Sequence, residues 1–216
     1  MSAPVIVSLC DLTGHMVTPW VNAGYEAVLV DPQHGVNHFG ARVTKLAMTV
    51  EEALPHLAEL NGRIAFVASF PPCTDMAVSG ARWFAAKREQ DALFQAKAVA
   101  VAEQCRTFAR LSGSPWFVEN PVSILSSIFG KPDHTFHPYD FTAWEVGDNY
   151  TKRTCLWTGG GFRMPAPSRA PNLDAPDDRI HKAPPSAERG NIRSATPMGF
   201  ARAVFAANAG RSECAA

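Results

Sequence analysis

Residues 4–31 read PVIVSLCDLTGHMVTPWVNAGYEAVLVD and contain two short apolar runs rich in β-branched side chains. The runs Pro4–Cys10 and Ala27–Val30 close on Asp11 and Asp31, which predicts two buried strands with an acid after each. The residues between them are too many for a hairpin turn and suit a crossover helix. This pattern is half of a Rossmann-like fold, and its two acids are spaced as expected when the second binds a ribose.

The rest of the chain continues this alternation. We predict helices over residues 15–23, 50–60, 87–111 and 197–208, and strands over residues 64–70, 117–119 and 155–157. Residues 32–49 are expected to be irregular, and residues 159–196, dense in Gly, Pro, Asp and Arg, to form an extended loop. The sequence therefore predicts one α/β domain over residues 1–216, with a mostly parallel sheet and helices on both faces.

The net charge, the cysteines and the length of the apolar runs bear on the class of protein. The 216 residues include 20 basic and 20 acidic side chains, so no strong overall charge attracts nucleic acid, although a local basic patch remains compatible with this balance. The five cysteines are odd in number and form no Cys-x-x-Cys pair, which favours a reducing, cytoplasmic setting. No apolar run reaches the roughly 18 residues of a membrane span, and no signal peptide is recognisable.

Two motifs follow apolar runs in the second half of the predicted sheet. Phe70-Pro71-Pro72-Cys73 ends the run over residues 64–70, and Ser79-Gly80 follows it; Glu119-Asn120 ends the run that begins at Trp116. Prolines stiffen the backbone, so the first motif would present a thiol at the end of a strand. Together the motifs resemble the DNA (cytosine-5)-methyltransferase family, whose catalytic cysteine follows Pro-Pro or Phe-Pro and whose second signature is Glu-Asn.

The resemblance implies a Rossmann-like fold that uses S-adenosylmethionine as cofactor and methylates cytosine C5 in DNA. In that chemistry a thiolate adds to C6, and a carboxyl group protonates N3 while C5 attacks the methyl group. The family's nucleophile corresponds here to Cys73, and its acid corresponds to Glu119. Lys152 and Arg153 stand where the family has a basic motif that stabilises the base and the active-site loop, although Cys155 replaces its last arginine.

The resemblance also assigns binding residues. Asp11-Leu12-Thr13-Gly14 is similar to the family's Asp-Leu-Phe-x-Gly cofactor motif, with Thr13 in place of the aromatic residue. Asp31 would bind the ribose hydroxyls of the cofactor. The implied cofactor contacts also include Phe70 and Pro71, and the implied substrate contacts are Ser79, Gly80, Arg82 and Asn120.

Two pairs of histidines could suggest a metal site. His34 and His38, like His134 and His137, lie at spacings that Gly35 and nearby prolines make unsuitable for a helical metal site, so no metal is expected.

The segment over residues 159–196, which stands in place of a target-recognition domain, is short. Its basic residues could still contact a nucleic-acid backbone: Arg179, His181, Lys182 and Arg189. The substrate could therefore be DNA or a free cytosine nucleotide, and a non-catalytic nucleotide-binding or S-adenosylmethionine-binding module of the same fold is a further alternative. The oligomeric state is left open.

Overall fold

The computed structural model describes residues 2–182, 184, 186 and 189–210. Its strands are β1 (Val5–Leu9), β2 (Glu26–Val30), β3 (His38–Phe39), β4 (Val43–Leu46), β5 (Ile64–Ser69), β6 (Trp116–Pro121), β7 (His134–Phe136) and β8 (Thr154–Gly159). Its α-helices are α1 (Thr18–Asn22), α2 (Val50–Ala58), α3 (Phe84–Gln90), α4 (Phe94–Leu111), α5 (Leu125–Ile128), α6 (Arg189–Ser194) and α7 (Met198–Asn208).

All eight strands form one mixed, mostly parallel sheet in the order β3-β4-β2-β1-β5-β6-β8-β7. The five strands from β4 to β6 in this order are parallel to their neighbours. Strand β8 runs antiparallel to both β6 and β7, and β3 runs antiparallel to β4. The α/β class and the mostly parallel sheet expected from the sequence are confirmed.

Helices cover both faces of the sheet. Alternate residues of β1 face opposite sides, so Ile6 packs in a cluster with Trp20 of α1 and Phe200 of α7, whereas Val7 packs with Leu57 of α2. Side chains that are buried on both faces explain why the central strands read as continuous apolar runs.

The central strands end level with one another, which creates the edge where the predicted site residues lie. Val30 of β2 pairs with Leu9 of β1, Leu9 pairs with Ser69 of β5, and Ser69 pairs with Val118 of β6. Chain order reverses at β1, which has β2 on one side and β5 on the other. In open parallel sheets, ligands bind at the carboxyl edge beside such a reversal.

Two expectations about the elements were wrong. The helix predicted over residues 87–111 is two helices, α3 and α4, because Asp91 is extended (φ −145°, ψ 102°) and its carboxylate accepts a hydrogen bond from the Leu93 amide. Residues 32–49 are not irregular, since they contain β3 and β4. Leu46 is buried and β4 extends the sheet beyond β2, but its run of four residues is too short to stand out in the sequence.

Other elements differ only in extent. The helix expected over residues 15–23 begins at Thr18. In the segment over residues 159–196, the described residues are mostly without regular structure but include α6. The final helix α7 and the strands expected around residues 4–10, 27–30, 64–70, 117–119 and 155–157 are confirmed. Throughout the part of the chain that the structure describes, every helix is too short or too polar to cross a membrane.

Candidate functional site

Cys73 lies in a turn just beyond β5 that several hydrogen bonds hold in place. The Phe70 amide donates to the Leu9 carbonyl oxygen at 2.9 Å, which extends the pairing of β1 and β5 by one residue. The Cys73 carbonyl oxygen accepts from the amides of Met76 and Ala77 at 3.0 and 2.8 Å. Pro71 is buried and Cys73 is partly exposed, so the turn is held in place at the edge of the sheet.

Glu119 and Asn120 lie near the end of the neighbouring strand, β6. The Asn120 side-chain amide donates to the Pro71 carbonyl oxygen at 2.9 Å, which ties the end of β6 to the Cys73 turn. Glu119 Oε1 and Asn120 Oδ1 are both buried and have no hydrogen-bond partner in the described residues. Buried acceptors without partners are costly, so these two oxygens mark a place where a ligand could donate hydrogen bonds.

The two candidate catalytic groups influence each other electrostatically. Burial raises the pKa of the Cys73 thiol, and the negative charge of Glu119 raises it further. Burial also raises the pKa of Glu119, against the opposing effect of Lys152. The resting thiol is therefore held in its protonated form, and the carboxyl group is biased toward its neutral form, in which it can donate a proton.

The structure places Lys152 and Arg153 differently. Lys152 is partly buried, and its charge lowers the pKa values of Cys73 and Glu119. Arg153 is exposed, and its charge acts on His137 and Cys155. Both basic residues precede β8, which runs antiparallel to β6 and therefore starts beside the end of that strand.

The loop after β1 is organised by the carboxylate of Asp11. This carboxylate accepts hydrogen bonds from the Ser8 hydroxyl at 2.7 Å and from the Gly14 amide at 2.8 Å, and Thr13 donates a third at 3.2 Å. Gly14 has a φ of +70°, and a Cβ there would lie 3.0 Å from the Leu29 side chain, so glycine is favoured. Asp11 therefore shapes the loop from within.

Asp31 lies beside an open cleft of about 540 Å³, a volume within the usual range of small-molecule sites. One of its oxygens accepts from the Gln33 amide at 2.8 Å, and burial raises its pKa. The cleft is lined by Leu12, Gln33, His34, Val36, His38, Val43 and Lys45. His34 Nε2 is buried without a partner in the described residues, so the cleft offers a second polar atom to a ligand.

The proposed substrate loop is a 3-10 helix over Val78–Trp83. It is tied to the chain after β6, since the Val78 amide donates to the Val122 carbonyl oxygen at 3.0 Å. Ser79 and Arg82 are exposed, and the Arg82 guanidinium lies 5.1 Å from the Trp83 ring centroid. The backbone bond holds this helix next to the segment that carries Glu119 and Asn120.

One residue near the site was missed by the sequence reasoning. Arg193 of α6 is close enough to Cys73 for its charge to lower the pKa of the thiol. The sequence offered only a weak signal, because Arg193 belongs to a segment read as an extended loop. The basic residues that were singled out there, Arg179 and Lys182, instead form ion pairs with Asp177 and Asp178.

Within the described residues, no group of three or more His, Cys, Asp or Glu side chains could hold a metal ion. In comparisons with known proteins, no protein-family model matches the chain and no curated protein matches it. The function is therefore inferred from the arrangement of Cys73, Glu119 and the residues around them.

Proposed function

We propose that this chain transfers a methyl group from S-adenosylmethionine to C5 of cytosine in DNA through a covalent bond between Cys73 and C6. The observation that carries the proposal is the pairing of a thiol and a buried carboxyl group at adjacent strand ends, tied together by the bond between Asn120 and Pro71. A nucleophile and a proton donor of this kind are what addition to cytosine C6 requires.

The order of the strands supports a Rossmann-like methyltransferase fold. Chain order reverses at β1, and the strands on either side run parallel to it. The reversed strand β8 lies between β6 and β7, so β7 runs in the same direction as β6. The candidate cofactor acids Asp11 and Asp31 and the candidate catalytic pair then lie at the same edge of one sheet.

The chain's own groups divide the chemistry between them. The sulfur of Cys73 attacks C6 and the C5–C6 double bond opens, which places electron density on C5. Glu119 donates a proton to N3 and so neutralises the charge that develops on the ring. After C5 has been methylated, a base removes the C5 proton, the sulfur leaves C6 as a thiolate so that the C5–C6 double bond re-forms, and N3 returns its proton to Glu119.

The protonation state of Glu119 also affects the thiol. While Glu119 keeps its proton, the negative charge that raises the pKa of Cys73 is absent. Lys152 and Arg193 still lower that pKa, so the thiolate is easier to form before Glu119 gives its proton to N3.

The cleft beside Asp31 suits the cofactor's nucleoside. Asp31 directly precedes the residues that line this cleft and would accept from the ribose hydroxyls, and Leu12 of the candidate cofactor motif lines the cleft itself. Phe70 is partly exposed at the end of β5, between this cleft and the catalytic pair. When bound, S-adenosylmethionine supplies an electrophilic methyl group on a sulfonium.

A free cytosine nucleotide is the second candidate substrate. The observation that favours it is the pairing of Arg179 with Asp177 and of Lys182 with Asp178, which leaves these two basic side chains neutralised. Phosphates in a DNA backbone would have to compete with those carboxylates.

The direct test is to incubate the purified protein with S-adenosylmethionine and either duplex DNA, a single-stranded oligonucleotide or dCMP. The products are digested to nucleosides and analysed by mass spectrometry. We expect 5-methyl-deoxycytidine from DNA. If dCMP is methylated faster than DNA, the nucleotide is the substrate; if none of the three is methylated, the proposed function is wrong.

A further inference from the structure

Two exposed basic side chains in the segment after β8, Arg179 and Lys182, are already paired with carboxylates. Arg179 Nε lies 2.8 Å from both carboxylate oxygens of Asp177, and Lys182 Nζ lies 2.7 Å from Asp178 Oδ1. Both basic side chains are more than half exposed. They are therefore poor candidates for a permanent phosphate site.

Arg193 and Lys152 differ from Arg179 and Lys182 both in ion pairing and in exposure. Arg193 is partly buried, and its Nε has no hydrogen-bond partner among the described residues. Neither side chain forms an ion pair within residues 2–182, 184, 186 and 189–210. A buried guanidinium nitrogen without an acceptor is unfavourable, so an anionic ligand that accepts from Arg193 would stabilise it.

Hydrogen bonds hold the segment that directly follows Arg193. The Ala195 amide donates to the Asn191 carbonyl oxygen at 3.0 Å, and the Thr196 carbonyl oxygen lies 3.1 Å from His15 Nδ1. Thr196 is buried, and His15 directly follows the Asp11–Gly14 loop. The end of α6 is thus anchored to the carboxyl edge of the sheet, where Cys73 also lies.

The geometry points to a specificity role: we propose that Arg193, assisted by Lys152, binds the phosphate group attached to the cytidine on which Cys73 acts. This inference rests on the proposed function and names the substrate as a phosphorylated deoxycytidine. In the usual anti conformation of a pyrimidine nucleotide, C6 is the ring atom nearest the 5′-phosphate, so a sulfur poised at C6 has that phosphate nearby. A guanidinium suits the site, because its planar fork of N–H donors matches phosphate oxygens.

The test compares Arg193→Gln with the control Arg179→Gln, which removes an exposed, already paired guanidinium. dCMP, deoxycytidine and a single-stranded oligonucleotide with one cytosine are titrated by calorimetry and assayed for methylation. One or two charge-assisted hydrogen bonds correspond to a loss of about 10-fold to 100-fold in the affinity for dCMP or the oligonucleotide. We expect that loss in Arg193→Gln, little change with deoxycytidine and no change in Arg179→Gln.

The same experiment distinguishes a free nucleotide from an oligonucleotide as the source of the phosphate. If the oligonucleotide is the substrate, Arg193→Gln should also lower the salt slope of its binding by about 0.7, as expected for the loss of one phosphate contact in a single strand. A wild-type protein that binds dCMP through Arg193 but methylates nothing would refute the proposed function and keep this inference. Equal losses for deoxycytidine and dCMP, or no loss with either phosphorylated ligand in a normally folded variant, would overturn it.

Discussion

Glu119 and Asp31 are both acids at the same edge of the sheet, yet their surroundings differ. Asp31 accepts a hydrogen bond from its own loop, and the neighbouring acid Asp11 accepts three. Glu119 Oε1 is buried and accepts none in the described residues. The acids in the half of the site after β1 and β2 therefore find hydrogen-bond donors in their own loops. The acid in the half after β5 and β6 depends on a ligand for such a donor.

The difference indicates separate tasks for the two halves. A carboxylate that organises its own loop can hold a cofactor in one position through many cycles. A buried carboxyl group without a partner has a raised pKa and exchanges protons more readily with a bound base. Substitutions in the two halves should accordingly affect binding in one and chemistry in the other.

The largest effect is expected from Cys73→Ala. Without the thiol no covalent bond to C6 can form, so methyl transfer should fall by at least about 10⁴-fold. In the wild type, DNA containing 5-fluorocytosine should give an adduct on Cys73 that survives denaturation, because fluorine cannot leave as the C5 proton does. The variant should fold and bind S-adenosylmethionine normally, and methylation at the wild-type rate would disprove the mechanism.

Glu119→Gln should separate catalysis from thiol reactivity. An amide cannot protonate N3, so methyl transfer should fall by roughly 10²- to 10⁴-fold. Removal of the negative charge should lower the pKa of Cys73, so the pH midpoint of its alkylation by iodoacetamide should shift downward. Peptide mapping distinguishes Cys73 from the partly exposed Cys10.

The control for this experiment is Glu145→Gln, which removes a carboxylate that is paired with Arg202. It should change neither the methylation rate nor the alkylation midpoint of Cys73. An unchanged midpoint in Glu119→Gln would show that the charge of Glu119 does not act on the thiol. The surroundings of Glu119 would then differ less in their effect from those of Asp31.

Asp31→Ala should weaken S-adenosylmethionine binding at least about 10-fold, because a charged acceptor of hydrogen bonds is removed. Burial raises the pKa of Asp31, so the wild-type affinity should fall as the pH drops through a midpoint above the ordinary aspartate value. The rate of methyl transfer at saturating cofactor should change much less. Calorimetry that shows wild-type affinity would remove Asp31 from the cofactor site.

The smallest effect is expected on stability, from Asn120→Ala. Loss of the hydrogen bond to the Pro71 carbonyl oxygen should lower the free energy of unfolding by about 1–3 kcal/mol and slow adduct formation. Thr49→Ala, which removes the capping box of α2, should cost a similar 0.5–2 kcal/mol, roughly, without slowing the adduct. Equal adduct rates in both variants would show that the hydrogen bond between Asn120 and Pro71 does not position Cys73.

The sequence predicted the central strands because parallel strands buried on both faces produce uninterrupted apolar runs. It did not predict β3 and β4, whose short strands lie toward the edge of the sheet and are mostly not fully buried. The break at Asp91 was also missed, because its cause is a local side-chain hydrogen bond and not a glycine or proline.

The candidate site residues that follow strands could be placed at one edge of the sheet from sequence, because the end of a parallel strand fixes where the next residue lies. The row of Leu9, Ser69 and Val118 brings Asp11, Phe70 and Glu119 to the same edge. Arg193 could not be found in this way, since its place depends on long-range contacts of α6. The different orientations of Lys152 and Arg153 likewise require the pairing of β8 with β6.

The reversal of β8 has a consequence for engineering the chain. Gly159 pairs with Trp116 at the start of β6, so the chain leaves the sheet at the edge remote from Cys73. It is then fastened on its return, since the Ser168 carbonyl oxygen accepts from Ala143 at 3.0 Å and the Asp177 carbonyl oxygen accepts from Thr151 at 2.7 Å. A recognition module grafted before Ser168 would project away from a substrate, whereas one grafted beyond Asp177 would start beside it.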